Sequence, residues 1–359
     1  MMLSLGRARR PDVRPVLRLI LALAVGGAAA LWPLPYFILL PGSAIPLDEA
    51  VHVEDAYHDE VGTFYLTTVR ADRATLIRLA AAAFRPAREI VRMDDLLFPH
   101  EDVDHYFSRQ QAVMEAAEKE ALIVAFRKAG VPIAVENRGA LVTGVVPGSP
   151  ADGVLNAGDV ITAVDGVPTP TAEDLLRRLA SRDAGTPVRL RILREGRPLE
   201  RTVRLAPFPG SRGRPGLGLI QPLTAREVRP SLAVTIDLEP IGGPSAGLML
   251  TLALINRLVP GDLTHGHRIA GTGTIDLDGR VGRVGGVSLK VLAAAAAGAD
   301  VFFVPDDPPE AGRTSNVEEA RRTNERFRLG LTIVPVRTVD DALQYLRTAF
   351  APAQAGPAR

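Results

Sequence analysis

The chain has no cysteine. Disulfides and thiolate metal sites are thereby excluded, while the redox compartment is left open. An excess of charge is also lacking. The 42 Lys+Arg residues against 41 Asp+Glu give a net charge of +1, and no basic stripe breaks that balance, so a nucleic-acid surface is excluded. Lysine itself is scarce: Lys119, Lys128 and Lys290 are the only three, and arginine supplies every other cation. What is present is ordinary for a globular protein, with 47% apolar and 23% charged residues, which excludes disorder throughout. The 359 residues suffice for two or three domains of roughly 100–200 residues each.

Residues 19–40, "LILALAVGGAAALWPLPYFILL", carry no charge, and Arg7, Arg9, Arg10, Arg14 and Arg18 precede them. As one helix they would span about 33 Å, enough for roughly 30 Å of hydrocarbon. The expectation is a single transmembrane helix over 16–40 that attaches the chain to the cytoplasmic membrane. By the positive-inside rule the N-terminus, a tail of residues 1–15, is cytoplasmic and everything after residue 41 extracytoplasmic. Pro33 and Pro35 are expected to kink that helix near its outer end. A signal peptide cleaved at "GGAAA" is the competing reading, and it would leave an exposed apolar N-terminus, "LWPLPYFILL".

Residues 41–128 read as a mixed α/β lead-in, with a strand at "GTFYLTTV" (62–69) and an amphipathic helix over 109–130 that stops at Gly130. From Gly130 the chain changes to short strands and turns. "GALVTGVVPGSPADG", "AGDVITAVDGVPTPTAEDLLRRLASR" and "TPVRLRILREGRPLERTVRL" give strands, an Asp-Gly turn, a helix opened by Thr171 and a hairpin about "REGRP". These segments, in this order, resemble the bacterial PDZ domain, placed at 129–208. The resemblance implies binding of extended peptide ends, with the carboxylate loop near Gly130, Val131 and Ile133; Pro132 departs from the small residue usual there. "PFPGSRGRPG" is a Pro/Gly-rich linker (209–216). Residues 217–350 alternate strands and helices, and 351–359 form a disordered tail. The fold class is therefore a multidomain α/β (α+β) chain with an N-terminal transmembrane helix.

"GGPSAGLML" contains G-x-S-x-G at Gly243–Gly247. Strand, turn and a buried apolar helix follow one another here, and Pro244 suits a first helical turn. Ser245 at a helix N-terminus is either a cap or a nucleophile beside N–H groups able to hold an oxyanion. A hydroxyl nucleophile needs a base. The only histidines after it, His265 and His267, follow Asp262 on one turn, too close for a Ser…Asp…His arrangement. No third metal ligand converges on the H-x-H pair, so no metal is expected. Lys290 is the only lysine after residue 128. Arginine cannot act as a base, whereas lysine does once its pKa falls. Lys290 sits among Val287, Leu289, Val291 and Leu292 at the start of an Ala-rich helix, and burial and the helix dipole both disfavour its ammonium form. A lysine snorkelling to solvent is the alternative.

"GPSAG" followed by "GTGTIDLDGRVGRVGGVSLKVLAAAAAGAD" (271–300) resembles the proteolytic domain of the Lon family of serine–lysine peptidases. The order of segments is similar to membrane-anchored bacterial PDZ–Lon proteins over most of 16–346. The resemblance implies Ser245 as nucleophile, Lys290 as general base and Thr272 beside the amine. Gly243, Pro244 and Ala246 support the serine, and Gly242, Gly243, Gly285 and Gly286 allow close backbone approach. It further implies protein or peptide substrates, no cofactor and a homo-oligomeric ring. Many ATP-dependent members carry a charged residue where this chain has Gly242-Gly243. No Gly-Lys pair occurs in the 359 residues, so they hold no Walker A loop and no ATP dependence is expected. The alternative function is a membrane-tethered PDZ adaptor with a non-catalytic Lon-like domain.

Overall fold

The structure, a computed structural model, describes residues 14–57, 61–84, 87–98, 101–308 and 313–350. The tail expected at 351–359, and all but the last two residues of the one expected at 1–15, lie outside the described residues. The chain divides into two compact units, residues 1–40 with 71–95 and residues 41–70 with 96–359. The lead-in runs α1 (Arg14–Leu31), β1 (Pro33–Pro46), β2 (Val51–Val53), β3 (Thr63–Thr75), α2 (Leu76–Ala83) and β4 (Glu89–Arg92). In the first unit Tyr36–Leu39 of β1 pair antiparallel with β4, and Ile38, Leu40, Ala74 and Ala82 form a small core. Thr75 opens α2 by accepting from the Arg78 N–H.

Among the described residues no helix is long and apolar enough to cross a membrane. This overturns the transmembrane helix expected over 16–40, and with it the single-pass topology and the extracytoplasmic placement built on it. The uncharged run is not one element. Proline lacks the N–H a helix interior needs and disfavours the helical region for the residue before it, so α1 ends at Leu31. Pro33 and Pro35 lie in β1 rather than kinking a helix. The 18 residues of α1 extend only about 27 Å and include Arg14 and Arg18.

In the second unit, α3 (Val103–Ala129) is opened by Asp102, whose carboxylate accepts from the His105 N–H, and is stopped by Gly130 in the left-handed region at φ 70°. There follow β5 (Ile133–Leu141), β6 (Val160–Val164), β7 (Val167–Pro168), α4 (Ala172–Ala180), β8 (Pro187–Arg194) and β9 (Arg197–Arg204). The β8–β9 turn uses Glu195 and Gly196, both at positive φ, the geometry that suits a two-residue hairpin. The stretch expected as a linker (209–216) connects the short antiparallel pair β10 (Ala206–Pro207) and β11 (Pro215–Gly216), whose second strand is its last two residues. The chain then returns as β12 (Leu223–Pro230) along the whole of β5. This sheet has the order β12–β5–β6–β8–β9. It encloses its own core of Leu175, Leu190, Ile192 and Leu205 and ends at residue 230, beyond the boundary expected at 208.

The last part runs β13 (Val234–Ile236), a 3-10 turn Pro244–Ala246, α5 (Gly247–Leu258), β14 (Arg268–Gly271), β15 (Thr274–Ile275) and β16 (Val281–Gly282). It continues through α6 (Val287–Ala296), β17 (Val301–Pro305), α7 (Asn316–Phe327), β18 (Thr332–Val336) and α8 (Val339–Ala349). β14, β17 and β18 are parallel neighbours, joined by the helical crossovers that parallel pairing requires. The lead-in completes this sheet: β3 pairs in parallel with β14, Thr63–Leu66 against Arg268–Gly271, and β2 pairs with β13. Successive residues of β17 face opposite layers. Val301 and Phe303 join the core with α5 and α8, while Phe302 and Val304 join that with α6 and α7. Two helical layers thus meet at the carboxyl end of β14.

Helix α3 is held by a buried ion pair. Arg109 grips both oxygens of Glu101 (2.8 and 2.9 Å), with their side chains 4% and 2% exposed. Arg109→Ala leaves a buried carboxylate uncompensated and is expected to destabilise this unit by about 3–5 kcal/mol, measured by urea denaturation. Arg109→Lys keeps the charge but not the two-toothed geometry and should lose less.

Candidate active site

The site forms where α5 and α6 converge on Thr272, the residue after β14. Crevices beyond the carboxyl ends of parallel strands are where open α/β sheets bind ligands. The turn before the serine is built by glycine. Gly243 has φ 88° and ψ 154°, a conformation open essentially to glycine alone, and its N–H donates to the Gln110 carbonyl of α3 (2.9 Å). A side chain at Gly242 would meet Cβ of Gln110 at 2.8 Å. Pro244 then starts the 3-10 turn that carries Ser245 and Ala246 into α5. Every residue of α5 is buried, and Gly247 lies so close to β15 that a Cβ would approach the Ile275 nitrogen to 2.9 Å.

The opposite wall is α6. Gly286 caps it at φ 66° and ψ 31°, and a Cβ there would strike Val69 at 2.9 Å, whereas Gly285 has open space. This start places Lys290 in the first turns of the helix, its N–H donating to the Gly286 carbonyl (3.1 Å). Lys290 is 4% exposed and Thr272 fully buried.

The three side chains meet. Lys290 Nζ lies 2.6 Å from Ser245 Oγ, within hydrogen-bond distance, and donates to Thr272 Oγ1 at 2.9 Å. Thr272 has one hydroxyl proton, and it goes to the Ser245 carbonyl (3.2 Å); toward the lysine this oxygen is therefore an acceptor. The Gly273 N–H also donates to that carbonyl (3.0 Å), fixing the serine backbone from two sides. Burial alone pushes the Lys290 amine from 10.5 down to about 7, because an ammonium loses its hydration there. A neutral amine has two N–H groups and one lone pair. With one N–H on Thr272, the lone pair is left for the Ser245 hydroxyl.

Other residues singled out by sequence stand elsewhere. His265 and His267 lie on the turn organised by Asp262, whose carboxylate accepts from the N–H groups of Val61, Gly62, Thr264 and Gly266. His267 stacks on Phe350 at 4.0 Å. At the expected carboxylate loop, Gly130 and Val131 have their N–H groups engaged, and Ile133 lies in a strand. The Gly130 and Val131 N–H groups donate to Arg127 and Phe126 carbonyls at the end of α3, and Ile133 is paired with Pro230 of β12. Strand β12 and the α3 face beside Pro244 went unread. The "LTAREVRP" stretch is a strand only through its pairing with residues about ninety positions earlier, and no local pattern carries that.

Comparison with known proteins agrees with this layout. Residues 232–349 match the Lon protease (S16) C-terminal proteolytic domain, and residues 128–205 match the PDZ domain. The chain is 34% identical over 111 residues to a Lon protease of Acinetobacter baumannii (strain AB307-0294), covering 31% of this chain and 12% of that protein. It is 45% identical over 69 residues to the periplasmic pH-dependent serine endoprotease DegQ of Escherichia coli (strain K12), covering 19% of this chain and 15% of that protein. The crystal structure of the PDZ domain of an SdrC-like protein from Listeria innocua aligns at 28% identity with a TM-score of 0.22, covering 23% of this chain and 91% of that one. The chain thus spans only a small part of the curated relatives it matches. Ser245, Thr272 and Lys290 all lie within residues 232–349, the part that matches the Lon protease (S16) C-terminal proteolytic domain, a serine peptidase domain.

Proposed function

We propose that this chain is an ATP-independent serine endopeptidase using a Ser245–Lys290 dyad on unfolded or flexible protein segments, with the PDZ domain assisting substrate selection. The observation that carries the reading is the buried amine of Lys290 resting on the Ser245 hydroxyl. Neutral Lys290 takes the Ser245 proton as Oγ attacks the scissile carbonyl. The resulting ammonium donates that proton to the leaving amine, and the acyl-enzyme is resolved by water activated through the same amine. Thr272 positions the amine, and N–H groups at the start of the turn, those of Ser245 and Ala246, hold the oxyanion. A flexible substrate is the one that a site acting without an unfolding motor would take.

Unfolded casein incubated without ATP tests the reading. The parent protein is expected to cleave it, and Ser245→Ala and Lys290→Arg to lose at least 1,000-fold in kcat/KM, since arginine keeps the charge but cannot accept the proton. Equal cleavage by all three would overturn it. Because the reactive form is the free amine, kcat/KM should rise about tenfold per pH unit below about pH 7 and level off above it.

The same amine links stability to pH. The folded state holds Lys290 neutral down to about pH 7, while the unfolded chain keeps it protonated to about 10.5; between those values the unfolded state binds the extra proton, so stability rises with pH. Below pH 7 the buried ammonium costs on the order of 5 kcal/mol. Lys290→Met is therefore expected to be inactive yet raise the melting temperature more at pH 6 than at pH 9, checked by calorimetry at both values.

A further inference from the structure

A cavity of about 280 Å³ opens beside the nucleophile turn. Its walls include Ala116 and Glu120 on α3, Glu173 at the start of α4, Arg226 on β12, Ile275 on β15, and Pro244, the neighbour of Ser245. The volume is just below the range for whole small-molecule ligands and suits one extended side chain with its backbone. Its charge is uneven. Arg226 pairs with Glu120 at 2.8 Å, their side chains 12% and 25% exposed, so those two charges answer each other. Glu173 has no basic partner among the described residues; its carboxylate only accepts from the Thr224 hydroxyl at 3.3 Å. One negative charge is thus left over at the cavity mouth. The Arg226 Nε, buried in the wall, has no acceptor, and desolvation already pushes the Glu120 carboxyl upward. The unsatisfied Arg226 N–H needs an acceptor, which a backbone carbonyl of an extended peptide supplies, while a cationic side chain answers Glu173. Finally, β12 is the terminal strand of its sheet, so one row of its backbone groups has no strand partner.

We infer that this cavity is a substrate subsite that takes a lysine or arginine side chain of an extended peptide lying along β12 as the peptide enters Ser245. The inference rests on the peptidase reading above and adds a preference to it. Glu173 supplies the counter-charge, Ala116 leaves room for the aliphatic stem, and Pro244 makes the wall continuous with the nucleophile.

The test walks a single lysine along an otherwise neutral, flexible ten-residue fluorogenic peptide, with glutamine and glutamate at the same positions as comparisons. The parent protein is expected to favour lysine over glutamine at one position by about fivefold in kcat/KM, the effect of one half-exposed charge pair. Glu173→Arg should turn that preference toward glutamate, and Ala116→Leu, which fills the cavity on a helix surface that tolerates leucine, should abolish it. A lysine-to-glutamine ratio that stays within twofold at every position, or that both substitutions leave unmoved, overturns the subsite while leaving the dyad intact. Cleavage by Ser245→Ala as fast as by the parent overturns the peptidase reading instead. A binding arm removes dependence on turnover: Ser245→Ala protein should bind the fluorescein-labelled lysine peptide more tightly than Ser245→Ala/Glu173→Arg does, by fluorescence anisotropy, and equal binding counts against the subsite.

Discussion

The structure of the catalytic part depends on one buried amine. A lysine out of water is costly as an ammonium, and here nothing of opposite charge compensates it: its contacts are two hydroxyls, Ser245 and Thr272. Had a carboxylate stood in either place, the pair would have held the lysine charged, and the lone pair that a base needs would be gone. Hydroxyl partners satisfy hydrogen bonds without supplying charge. Neutrality near pH 7 is therefore a property of the surroundings, and those surroundings must be dry, small and rigid.

Much of the fold serves that condition. The two helical layers of the sheet each contribute one side chain of the candidate site, Ser245 just before α5 and Lys290 in α6, and these meet at the carboxyl end of β14. Close approach there is made by glycine: Gly286 lets α6 begin against Val69, and Gly247 lets α5 lie on β15. The serine carbonyl is held by both Thr272 and Gly273, so the Ser245 backbone and the Thr272 hydroxyl do not move apart independently. A larger residue at Gly247 or Gly286 would press against Ile275 or Val69 and disturb the 2.6 Å contact between Lys290 and Ser245.

Ser245 and Lys290 were singled out by local chemistry, a G-x-S-x-G before an apolar helix and a solitary lysine in an arginine-rich chain, whereas Thr272 came only from the resemblance; the structure brings the three side chains together. The parallel alternation after β13 was legible for a related reason, since period and turn residues are local. What failed was non-local. The uncharged run over 19–40 looked continuous by composition, yet Pro33 divides it between a helix and a strand whose partner, β4, lies some fifty residues on. "GTFYLTTV" read correctly as a strand, but nothing in it announced that its neighbour would be Arg268–Gly271. The peptide loop expected at Gly130 and Val131 failed because the same glycine that suits such a loop also suits a helix stop, and their N–H groups went to α3 carbonyls.

Helix α3 shows why the domain boundaries do not coincide with divisions of labour. Its Arg109 side chain reaches Gln221 at 3.4 Å, just before β12; one residue on, the Gln110 carbonyl holds Gly243 of the nucleophile turn. Glu120 binds Arg226 of β12, and Lys128, near its end, grips Asp340 at the start of α8. A single helix therefore touches the terminal strand of the PDZ sheet, the turn before the serine and the last helix of the proteolytic part. An extended peptide pressed against β12 would bear on α3, and α3 bears on Gly243, where a glycine-only conformation leaves little freedom to absorb the displacement. The contact that would recognise a substrate and the turn that would attack it are thus separated by one hydrogen bond.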